Sequence, residues 1–85
     1  MHGRMEELKL GIAAGNRFTV ILADLPKTPV EIRDVKRQKG IVKVNLGHGH
    51  RTVNDRWQPL RDGDIVRGTG EFGPVYTCKQ LGGTA

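Results

Sequence analysis

Glycine places the first constraint on this chain. Twelve of its 85 residues are glycine and four are proline. They separate short runs in which apolar and polar residues alternate. Glycine takes positive φ without steric cost, and proline withdraws a backbone donor. Together they break a chain into short elements joined by tight turns.

The runs between them read mostly as strands. Leu8, Leu10 and Ile12 alternate with Lys9 and Gly11, and Phe18, Val20 and Leu22 alternate with Thr19 and Ile21. That period of two predicts a hairpin turning at Gly15-Asn16, with its apolar side chains on one core face. Residues 29–39 fit a helix. Thr28 and Glu31 have the spacing of a capping box, Pro29 suits the first helical position, and Gly40 suits the end. The apolar spacing there is poor, because Val30 does not join the face shared by Ile32 and Val35. A strand bent near Asp34 fits the same residues. Val42, Val44 and Leu46 point inward from a strand that turns Lys43 and Asn45 outward. "DIVRG" and "PVYTCKQL" are further strands, a short one fits around Val53, and Asp62-Gly63 is a turn. The expectation is a mainly β domain over residues 1–85, a small five- to six-stranded barrel or sandwich of the OB or SH3-like kind. It carries one short helix and a frayed tail at 82–85.

The core is expected to be small. Hydrophobic residues are 36% of the chain, and the aromatics are Phe18, Trp57, Phe72 and Tyr76 alone. Partner subunits are a common remedy for a thin core. Cys78 is the single cysteine, so no internal disulfide can form. No apolar run approaches the roughly 18 residues of a membrane helix. The first ten residues carry acids where a signal peptide would be apolar. These features point to the cytoplasm and away from a membrane.

Charge gives the strongest functional signal. The net charge is +5, and residues 25–56 hold eight basic and three acidic residues, while the segments on either side are neutral. A basic segment between neutral ones is what a polyanion partner requires. Arg33, Lys36, Arg37, Lys39 and Lys43 are placed to contact phosphates. Arg51 and Arg56 follow, with Trp57 beside them as a stacking surface for unpaired bases. The opposing reading has these cations only solvating a surface, with Trp57 in the core.

Other motifs are weaker. Gly68, Gly70 and Gly73 form a G-x-G-x-x-G pattern within "RGTGEFGPVYTCK". A dinucleotide site needs a helix after the glycines, but Pro74 to Thr77 read as strand. The stretch resembles the glycine-rich phosphate loop of protein kinases over about a dozen residues. That resemblance implies a nucleotide pocket with a separate lysine, a catalytic loop and a metal-binding acid, and 85 residues have no room for them. "LKLGIAAGNRFTVIL" is similar to a segment of the TruD-type tRNA pseudouridine synthases, which implies that Asn16 and Phe18 lie near a target uridine. The family's catalytic-aspartate motif is absent. His48 and His50 share one side of "GHGH", with Cys78 or Asp55 as further ligands, but zinc needs three or four. There is no serine to act as a nucleophile. No catalytic residue, metal or cofactor is assigned. The reading is a non-enzymatic domain that binds RNA, slightly ahead of single-stranded DNA. The alternatives are a self-assembling protein-interaction module and a small barrel for an anionic ligand.

Overall fold

A computed structural model describes residues 4–47, 56–70 and 73–83. Among these, one helix and seven strands form a mainly β fold with two antiparallel sheets. The elements are α1 (Met5–Ala13), β1 (Phe18–Leu22), β2 (Leu25–Ile32), β3 (Asp34–Gln38), β4 (Ile41–Asn45), β5 (Trp57–Pro59), β6 (Ile65–Gly68) and β7 (Val75–Thr77). One sheet has the order β2-β1-β6-β7, the other β3-β4-β5. Among the described residues, no helix is long and apolar enough to cross a membrane.

The first half of the expected hairpin is a helix instead. Met5, Leu8 and Ile12 recur at helical spacing, and α1 turns them toward the core while Leu10 is 69% exposed. Glu6 and Glu7 sit in the first turn, where they oppose the helix dipole. Gly15 and Asn16 end the helix. Gly15 has φ +91°, its N–H donates to the Ile12 carbonyl at 3.0 Å, and that of Asn16 donates to Gly11 at 3.0 Å. This is the Schellman pattern, which satisfies the last carbonyls of a helix. A positive-φ glycine followed by asparagine suits a hairpin turn or a helix end equally well.

The expected helix over 29–39 is not formed. Val30 and Ile32 belong to β2, Val35 to β3, and Arg33 is the bend between the two sheets. The sequence alternative of a strand bent near Asp34 describes the chain better. The reason is pairing. Phe18 opposes Ile32 and Val20 opposes Val30 across β1, while Val35 opposes Val44 across β4. Tertiary burial of alternate residues outweighs a local capping signal. Gly40 ends no helix. Lys39 (φ +54°) and Gly40 (φ +77°) form the two-residue β3–β4 turn, a type I′ geometry whose twist matches the flanking strands.

β1 and β2 pair with a bulge that sets Leu22 opposite Leu25 and Val20 opposite Val30. The segment 26–29, with Pro26 and Pro29, is accommodated there, on the outermost strand of its sheet. Arg4 closes the other end of that sheet. Its guanidinium donates to the Val75 carbonyl at 3.2 Å, pairs with Glu7 at 2.8 Å and lies 4.4 Å over the Tyr76 ring.

The two sheets share one core. Phe18, Val20, Ile32, Val66 and Tyr76 come from the larger sheet, Val35, Val42 and Val44 from the smaller, and Leu8, Leu60 and Leu81 fill between them. Buried Asp64 holds the loops together. Its Oδ1 accepts the Ala23 N–H at 2.9 Å and its Oδ2 the Arg61 N–H at 2.9 Å. Of the expected tail, Gly82 and Gly83 donate backbone bonds to Lys79 and Cys78, while 84–85 lie outside the described residues. So do Val53 and Phe72.

A strand over 8–12 would place Leu8 and Leu10 on one face, whereas α1 separates them. Leu8→Ala is expected to cost about 2–5 kcal/mol, and Leu10→Ala to stay within about 0.5 kcal/mol, in chemical denaturation. Tyr76 supplies a second test. Its pKa is raised above 10.0, chiefly by burial and then by the charge and hydrogen bond of Glu7, with Arg4 opposing. The unfolded chain releases the phenolic proton near pH 10 while the folded chain holds it. This contribution is therefore fully present below that pH and is lost as pH rises through the folded value. Denaturation midpoints of Tyr76→Phe should fall less steeply above about pH 10 than those of the parent.

Candidate functional site

In an antiparallel sheet, directly paired residues share a face and neighbours along a strand do not. In the smaller sheet Lys36 opposes Lys43, Lys43 opposes Pro59, and Asn45 opposes Trp57. These residues share the outer face, because Val35, Val42 and Val44 of the same strands are buried on the inner one. The Lys36 ammonium lies 4.1 Å over the Trp57 ring, close enough for a cation–π attraction. Trp57 is half-buried and lies outside the buried core cluster. Its ring is a wall of the lysine face.

The structure divides the other basic residues. Arg37 opposes Val42, so it has the parity of the inner face, and its guanidinium lies against Gly82 at the edge. Arg56 is exposed just before β5 and has the parity opposite to Trp57; its backbone pairs with Leu46 and Gly47. Arg33, at the bend, lies against Gly47, where an added Cβ would come within 3.0 Å of its side chain. Lys39 is exposed at the β3–β4 apex. Arg51 lies outside the described residues. Lys36, Lys43 and Trp57 are thus brought together, Lys39 extends the set toward the hairpin tip, and Arg37 and Arg56 do not join the face.

Sequence reasoning missed two members of this face. Pro59 extends it beside Lys43, and Ile41, 45% exposed, lies on it opposite Gln38. For Ile41 the signal was present. It has the parity of Lys43 in "IVKVNL", so the alternation that points Lys43 outward points Ile41 outward too. Asn45 also has this parity, yet it is 5% exposed, and its amide oxygen accepts the Gly47 N–H at 2.6 Å. It fixes the turn and leaves the exposed part of this face to the lysines.

The glycine-rich stretch is a hairpin. Val66 opposes Tyr76, and Arg67 opposes Val75. The Gly68 N–H donates to the Pro74 carbonyl at 2.8 Å, and the Gly73 N–H to that of Gly70 at 3.2 Å. These amides serve the turn. Gly68 and Gly73 admit close packing: a methyl on Gly68 would meet Pro74 at 2.7 Å, and one on Gly73 would run into the Gly68 carbonyl. Phe18 is a core residue, with its ring 6.3 Å from that of Tyr76. The buried Cys78 thiol donates to the Leu60 carbonyl at 3.3 Å. Among the described residues no group of three or more His, Cys, Asp or Glu could hold a metal; His48, His50 and Asp55 lie outside them.

Among the described residues, two clefts lie beside these elements. One, of about 460 Å³, is lined by Asn16, Arg17, Phe18, Thr69 and the glycines. The other, of about 390 Å³, lies among the β1–β2 turn, β5 and the β5–β6 loop.

A structural role for Gly73 has a clear signature. Gly73→Ala should destabilise the fold by about 1–3 kcal/mol in thermal or chemical unfolding. An unchanged stability would show that the hairpin does not need the close approach. No protein-family model matches this chain, and neither a curated protein nor a solved structure matches it at a significant level.

Proposed function

We propose that the outer face of β3-β4-β5 binds single-stranded nucleic acid, RNA ahead of DNA, without catalysis. One observation carries this reading: a half-buried tryptophan, capped by Lys36 at 4.1 Å, stands on the same face as Lys43. An indole face stacks on any base, and lysines beside it track the phosphates between bases. A base arriving on Trp57 displaces the Lys36 ammonium, which is then placed to meet the adjoining phosphate. The proposal extends to architecture and setting. β2 runs through the Arg33 bend into β3, and both sheets face one core, which supports a small barrel of the OB or SH3-like kind. A sequence with a single cysteine, and so without a disulfide framework, supports a cytoplasmic setting.

A second reading has a specific observation behind it. On the outer face of the larger sheet Ile21 opposes Ile65, and Val75 is 43% exposed. That face suits a second copy of the chain, and sedimentation at rising concentration tests it.

The main test follows the fluorescence of the sole tryptophan while a single-stranded RNA is titrated at two salt concentrations. Binding should weaken steeply with salt. Lys43→Ala should reduce the log–log salt slope by about 0.7, and Trp57→Leu, which lacks that fluorophore and is followed by the anisotropy of a labelled RNA, should cost about 1–3 kcal/mol of binding. Absence of binding at low salt would remove the proposal.

A further inference from the structure

We infer that the cleft of about 390 Å³ beside the lysine face is a nucleobase pocket selective for guanine. This inference rests on the nucleic-acid reading of the adjoining face and names which base that face would favour.

The cleft continues the proposed strand path. Pro59 belongs to both surfaces: it is the cross-strand partner of Lys43 on the outer face, and it lines the cleft. Gln58, which opposes Val44 and so has the parity opposite to Trp57, lines the cleft from the other side of β5. Pro59 is thus the link by which a strand with one base on Trp57 and a phosphate at Lys43 is led toward the cleft. The volume lies at the small end of the roughly 300–1,000 Å³ typical of ligand sites, a scale suited to one planar base.

The lining decides what enters. Asp24, Asp62 and Asp64 outnumber Arg61 there, so a phosphate is repelled and a group rich in N–H donors is favoured. Asp64 is committed to the fold through the Ala23 and Arg61 amides. Asp24 and Asp62 are exposed, and neither is in an ion pair among the described residues. Each carboxylate offers two acceptor oxygens side by side. Guanine alone among the common bases presents two adjacent donors on its Watson–Crick edge, the ring N1–H and the exocyclic amino group. Uracil and thymine present one N–H between two carbonyls, which a carboxylate repels. Unstacked bases are read on these edges in single strands. The Gln58 amide, with both donors and an acceptor, complements the remaining edge.

The test compares a ten-nucleotide uridine oligomer with versions carrying one central guanosine or adenosine, at fixed salt. Asp24→Asn and Asp62→Asn are made singly and together, since asparagine keeps the turn chemistry of both positions. Circular dichroism confirms the fold of each. The guanosine oligomer should bind the parent about fivefold or more tightly than the other two, and the double variant should lose that preference while keeping its affinity for uridine. Equal binding of all three oligomers, or a guanosine preference that survives the double substitution, overturns the pocket and leaves the lysine–tryptophan face intact. Failure to bind any oligomer overturns the reading beneath it.

Discussion

Strand β4 is hydrogen-bonded on both sides, and the pleat of this one strand ties the core to the candidate site. Val42 and Val44 complete the interior because Lys43 points out, and Lys43 points out because they point in. A slip of one residue would drive an ammonium into the core and two valines into water. The β3–β4 turn fixes that register by admitting two residues of positive φ. Lys39 occupies the first of them, where a branched side chain would be strained. β5 then docks on the far edge of β4 and brings Trp57 and Pro59 to the lysine side. The arrangement of the face is thus a consequence of how the core is packed.

The same rule shows what the sequence could reveal. Alternation was legible wherever a strand is buried on one side: Phe18 and Val20, Val42 and Val44, Val66 and Tyr76 all lie in the core. It misled over residues 8–12, where Leu8, Leu10 and Ile12 match a strand as well as a helix. Only the position of Met5 and the exposure of Leu10 separate the two. Residues 29–39 failed for the opposite reason. Their capping letters are local, while the burial of Val30, Ile32 and Val35 depends on partners in two different sheets.

The candidate site was legible as a segment and not as a surface. Lysines and arginines crowd residues 25–56, but strand parity distributes them. Lys36 and Lys43 share a face with Trp57, whereas Arg37 turns toward Gly82 and Arg56 takes the other side. Charge density along a chain says nothing of parity until the strand boundaries are known. The cleft beside this face was invisible for a related reason. Its lining combines two turns and the end of β5, residues far apart in sequence that meet only once the Asp64 carboxylate has joined the loops.

The two ends of the larger sheet bear on what this protein can become in a crowded solution. An open sheet is a template on which another chain can crystallise strand by strand. Here the outermost strand β2 carries Pro26 and Pro29, which have no amide hydrogen to donate, and the Arg4 guanidinium occupies the Val75 carbonyl at the β7 margin. Both features work against strand addition at these rims. Contact through the side chains of a face closes on itself, whereas contact through an open rim repeats, so blunted rims turn this sheet's recognition surface from its backbone to its side chains.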